Sequence, residues 1–265
     1  MLGKLFRHDM KALSRYLIMI HLVVFAAALI GRLTLTGHQG IWDVPNVAFV
    51  LYILAFILLL MAASFGTYVI IGVYFYRSLY SRQGYLTWTL PATSGQLLVA
   101  KTLTGFIWSL ASFIMLIISG LLFFLPPGVS WSEIAASFKT ELGLSFSAFW
   151  LALLFLSILS CFCGIISIYA SITIGQLFSG HRVIAAVMIY AGINIILQII
   201  SGMIPFVTSN SYTQIFTNTL NESGISSFGS ELMNMIMVLS LASLIEGVVF
   251  YLITHYIMQK KINII

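Results

Sequence analysis

Arg77-Ser78-Leu79-Tyr80-Ser81-Arg82-Gln83-Gly84-Tyr85-Leu86-Thr87-Trp88-Thr89-Leu90-Pro91-Ala92-Thr93-Ser94-Gly95-Gln96, continued by Leu97 to Lys101, is the long polar interruption of this chain that also carries structural signals. Gly84 and Pro91 bracket an aromatic and aliphatic patch, Tyr85 to Leu90, which predicts a short surface element. After Pro91, Thr93 stands where a helix N-cap belongs and Gln96 follows three residues on, the pattern of a capping box. A new helix is therefore predicted to start near Ser94. The patch has two readings: a connecting loop that dips Tyr85 and Trp88 into the interfacial belt of a bilayer, or a docking knob for a cytosolic partner. Spacing alone does not choose between them.

On both sides of this stretch lie apolar segments long enough to cross a bilayer. The chain has 265 residues, of which 60% are hydrophobic and 7% charged, with a mean hydropathy of +1.07. A water-soluble domain carries about 25% charged residues, so the composition predicts an integral membrane protein. A span needs about 20 apolar residues, which leaves room for six spans and no extramembranous domain. The first apolar run, Tyr16 to Ile30, has no small-residue cleavage site behind it and continues into Arg32; it reads as a retained span. The net charge of +5 comes with no basic block long enough to follow a nucleic acid. Cys161 and Cys163 sit inside an apolar run without further soft ligands and read as inert.

The expected fold is all-α and polytopic. Residues 1–16 alternate an apolar side (Leu2, Leu5, Phe6, Leu13, Tyr16) with a basic one (Lys4, Arg7, His8, Lys11, Arg15), which predicts an amphipathic helix lying in the headgroup plane against anionic lipid. Six transmembrane helices follow, at 17–36, 47–76, 97–125, 146–177, 183–204 and 232–257. Residues 77–96 connect the second to the third, and 126–145 and 205–231 read as outer loops. Counting Lys and Arg puts Lys4, Arg7, Lys11, Arg15, Arg77, Arg82, Lys101, Arg182, Lys260 and Lys261 on the inner side, leaving Arg32 and Lys139 outside. Both termini are then cytoplasmic.

Catalytic signatures are absent: no His-Glu-x-x-His, Gly-x-Ser-x-Gly or phosphate-binding Gly-x-x-x-x-Gly-Lys-Ser/Thr occurs. The chain is expected to be no enzyme. One carboxylate, Glu246, falls in the middle of the sixth span, where insertion costs about 2.5–3.5 kcal/mol. It must face protein or water. It reads either as a path-lining residue or as a helix-pairing partner for Asn194, Gln198 or His21, the other polar side chains inside spans. Ser157, Ser160, Gly164, Ser167, Ser171 and Gly175 recur on one side of the fourth span as a close-packing stripe, suited to an intramolecular or a dimer contact. Arg32 can snorkel.

The order of these features, with Gly84-Tyr85-Leu86-Thr87-Trp88-Thr89-Leu90-Pro91 between the second and third spans and Lys101 after it, resembles the membrane subunit of ATP-binding-cassette exporters of the six-helix, type V exporter class. The resemblance implies that residues 77–96 hold a cytoplasmic coupling helix that docks in a groove of the ATPase subunit through Tyr85, Leu86, Thr87, Trp88, Leu90 and Pro91. Arg77, Arg82 and Lys101 would pair with acids on the ATPase or hold topology. Two permease subunits, expected as a homodimer, would form the path. Two copies of a cytosolic ATPase would bind ATP and Mg, with no cofactor on this chain. Residues 205–231 would match the family's re-entrant region. The resemblance implies a bacterial plasma-membrane exporter of an amphipathic or hydrophobic substrate, with peptides of the phenol-soluble-modulin type as the nearest likeness. Two other classes stand beside it: a membrane scaffold or sensor that recruits a soluble partner through the 77–96 turn, and an intramembrane enzyme built on Glu246 and His21.

Overall fold

A computed structural model of the chain describes residues 2–34, 47–81, 84–89, 93–125, 130–178, 180–208 and 222–260. Within them every regular element is helical: α1 (Leu2–Thr34), α2 (Val47–Tyr80), α3 (Gly84–Trp88), α4 (Ser94–Phe124), α5 (Trp131–Leu142), α6 (Phe146–Gly175), α7 (Arg182–Thr208) and α8 (Glu222–Lys260). Six of these, all but α3 and α5, contain stretches long and apolar enough to cross a membrane. Their outer sides fit that role: Val50, Leu54, Leu58, Met61, Phe65 and Val69 on α2 are all exposed, a stripe that water would penalise and lipid would not. The chain divides into two compact units, Met1–Gly128 with His255–Ile265, and Val129–Thr254.

In the first unit α1 packs on α2 and α4. The expected division at residue 16 is not seen, because a single helix of 33 residues runs through it. Its length is about 50 Å. The reason lies in one buried seam, Asp9, Leu13, Leu17, His21, Val24 and Ala28, which keeps helical spacing across the proposed boundary with no Pro to break it. Lys4, Arg7, His8, Lys11 and Arg15 are exposed, as the basic side was expected to be. Further along, Phe49 and Phe56 of α2 and Phe123 of α4 close over Val24 and Ala28, with Phe56 and Phe123 ring centroids 4.5 Å apart. Gly31 permits this contact: a Cβ there would stand 2.1 Å from Phe123 Cε2. Arg32 does not simply snorkel. Its Nη1 donates to the carbonyl of Leu125 at 2.6 Å, binding the end of α1 to the end of α4, where helix carbonyls lack intrahelical partners.

In the second unit, residues 130–145 are more than a loop. They hold α5, which ends on Gly143 in the left-handed region (φ 66°). Its Phe138 meets Phe146 and Phe149 of α6 at centroid distances of 5.6 and 5.0 Å. At the end of the small-residue stripe of α6, Gly175 packs on α7, where a Cβ would stand 2.8 Å from Ala186 Cα. The region 205–231 is also partly helical, since α7 continues to Thr208 and α8 begins at Glu222. Residues 209–221 lie outside the described residues.

Candidate functional site

Two places collect the residues singled out in the sequence. The first is the connection between α2 and α4. The N–H of Gly84 donates to the carbonyl of Ser81 at 2.8 Å, and α3 follows at once. Gly84 is buried against the end of α2, where a Cβ would lie 2.4 Å from the Leu79 carbonyl oxygen; no other residue type fits so close an approach. Trp88 Nε1 donates to the same carbonyl at 3.0 Å. The half-buried indole thus folds α3 back onto α2. Thr87 is half-buried as well. Tyr85 and Leu86 lie on α3, but their side chains, like the whole of Leu90 and Pro91, fall outside what is described. Beyond them α4 opens on the expected capping box: Thr93 Oγ1 accepts from Gln96 N and Gln96 Oε1 accepts from Thr93 N, each at 3.3 Å.

Lys101 lies one turn and a half further on. It is only 3% exposed, and its Nζ stands 2.8 Å from Oδ2 of Asp9, itself 1% exposed. Tyr74 of α2 donates its hydroxyl to Oδ1 of the same carboxylate, and the Lys101 ammonium sits 4.6 Å from the centre of the Tyr74 ring. His8 is the outer neighbour, its Nδ1 3.6 Å from Asp9 Oδ1. The lysine is therefore engaged inside its own chain. Arg77 remains exposed. Asp9 leaves no signal in the sequence, because its cation lies on a helix distant in the chain.

The second place is a cavity of about 590 Å³ in the second unit, bounded by α6, α7 and α8. Glu246, Asn194 and Gln198 all line it, together with Tyr190 and the α6 residues Ser160, Gly164 and Ser167. Three of the four polar span residues are thus brought to one opening. At its margin α6 and α8 touch: Cys163 Sγ–H donates to the Ser243 carbonyl at 2.8 Å, and a Cβ on Gly247 would stand 3.0 Å from that sulfur. Both cysteines are free thiols. His21 is engaged in the first unit instead. Its Nδ1 lies 2.6 Å from the Leu17 carbonyl, and its Nε2 lies 2.7 Å from Ser112 Oγ. Ser112 in turn lies 3.1 Å from Thr67 Oγ1, which donates to the Ala63 carbonyl at 2.9 Å. This chain of polar groups ties α1, α2 and α4 together.

Among the described residues no three His, Cys, Asp or Glu side chains converge to hold a metal. Among the described residues, fold and site define a helical protein with six helices fit to cross a membrane, a self-anchored turn between two of them and a mostly apolar cavity holding Glu246, Asn194 and Gln198 among three others. Comparison with family models, curated proteins and solved structures returned no match.

Proposed function

We propose that the chain is the permease subunit of an ATP-driven exporter. The observation that supports this reading is the α2–α3–α4 connection. A short helix, pinned to its own chain by Trp88 and Gly84, stands between two helices of 34 and 31 residues. At 1.5 Å per residue these are about 51 and 46 Å long, well beyond the roughly 30 Å of hydrocarbon. Such helices carry the turn clear of the membrane and move with it as levers. In this reading both termini and the turn are cytoplasmic, in a bacterial plasma membrane. Two copies of a separate ATPase hold ATP and Mg and press on α3, and a second copy of the chain completes the path for an amphipathic or hydrophobic substrate such as a peptide. The basic outer face of α1 lies toward anionic headgroups.

The test is isolation of the tagged chain from its native membrane in mild detergent, with ATP hydrolysis measured on what is retained. Trp88→Phe removes the indole N–H and part of the ring but keeps an aromatic, apolar side chain, and is expected to keep the ATPase. Trp88→Asp puts a charge on α3 and is expected to lose it. Retention of a soluble partner that hydrolyses no ATP would instead support a scaffold, and a chain that arrives alone from intact membranes would sink both.

A further inference from the structure

We infer that the cavity between α6, α7 and α8 binds an amphiphilic organic cation, a protonated amine carried on an apolar body. At about 590 Å³ it lies within the range of about 300–1,000 Å³ usual for small-molecule sites. Its polar lining is neutral, from Tyr190, Asn194, Gln198 and several serines, apart from one acid, Glu246. Asn194 donates one amide N–H to the Tyr190 carbonyl at 2.8 Å, which orients the amide and makes its oxygen available as an acceptor to a ligand. Glu246 supplies a carboxylate. Both accept hydrogen bonds, and no Lys, Arg or His lines the cavity to answer them. A carboxylate set among apolar side chains is stabilised by a cation, and since no basic side chain is in this lining, a cationic ligand would supply it.

The walls decide what kind. Leu197, Leu239, Val249 and Phe250 surround the acceptors and favour a hydrocarbon body. An inorganic cation is a poor fit, since Ca²⁺ takes about 6–8 oxygen ligands and Glu246 is the sole carboxylate lining this space. As a statement about cargo the inference rests on the exporter reading. As a statement about binding it does not.

The experiment uses the full chain in nanodiscs of neutral phosphatidylcholine and a fluorescent probe, N-dansyl-1,6-diaminohexane, with its N-acetylated, uncharged form as comparison. The ammonium probe is expected to bind saturably and about tenfold or more tightly than the acetylated one, the scale of one charge-assisted hydrogen bond. Glu246→Gln, which keeps the shape, is expected to erase that preference, and Asn194→Leu to weaken it. Equal binding of the two probes to the unaltered chain, no binding of either, or an unchanged preference in Glu246→Gln overturns the inference. The comparison on the unaltered chain decides even if a variant fails to fold. An ATPase captured without a charge preference sinks this inference alone, and a charge preference without an ATPase sinks the exporter reading alone.

Discussion

Asp9 and Lys101 are the residues on which the first unit is most exposed to a single change. Both are nearly inaccessible and 2.8 Å apart, so removing one leaves the other buried without its counter-charge. Breaking such a pair costs about 3–5 kcal/mol, whereas replacing both partners by apolar residues of similar volume is often neutral. Asp9→Asn and Lys101→Met are each expected to lower the melting temperature in detergent sharply, and the double variant Asp9→Leu/Lys101→Met to recover most of the loss. A double variant no more stable than the worse single one would show that the pair does not act as a unit. None of this was legible in the sequence. Asp9 and Lys101 lie far apart in the chain, and only the packing of α1 against α4 makes them neighbours. Glu246, by contrast, announced itself, because a carboxylate amid Leu244, Ile245, Val248 and Val249 has few explanations. Asn194 and Gln198 line the same cavity as Glu246, while His21 meets Ser112 in the first unit, since residue type says nothing of which helix a side chain meets.

At the scale of the helices, local chemistry was readable where it is local. Thr93 and Gln96 placed the start of α4 at Ser94 because a capping box is written within four residues. The same logic was available for α5 and passed over: Glu133 in the first turn, Lys139 in the last and Gly143 just after the end are its boundary signals. Packing between helices was not readable. Gly31 gave no sign that Phe123 covers it, although a Cβ would come within 2.1 Å of that ring and 2.7 Å of Tyr52 Cε1. Gly31→Leu must push α1 away from α2 and α4 or drive Phe123 off its site. A loss of about 1–3 kcal/mol is expected from overpacking, measured as a lower melting temperature. A fully stable variant would mean that the three helices are less closely seated than they stand here.

For the molecule as a whole, the sequence gives six apolar segments, and six helices fit to cross a membrane are found close to those positions. Sidedness follows from charge rather than from packing. In a Cys161→Ser/Cys163→Ser background, the cysteine introduced by His8→Cys and that by Gln259→Cys are expected to react with an impermeant maleimide only after cells are opened, while Ser132→Cys on α5 reacts in intact cells. Labelling of position 8 in intact cells would reverse the assigned orientation.

The first unit is discontinuous: it takes in the chain from His255 as well as the first 128 residues, and His255 Cε1 stands 3.0 Å from where a Cβ on Gly95 would be. Read in time, this sets an order of construction. The ribosome delivers Asp9 first and Lys101 roughly 90 residues later, on the order of 5 to 20 s at about 5–20 residues per second. For that interval the acid lacks its lysine. His255 arrives roughly 160 residues after Gly95, when the whole second unit has already emerged. The first unit is thus completed only after the second has been made, and a nascent chain interrupted before α8 leaves the face around Gly95 uncovered.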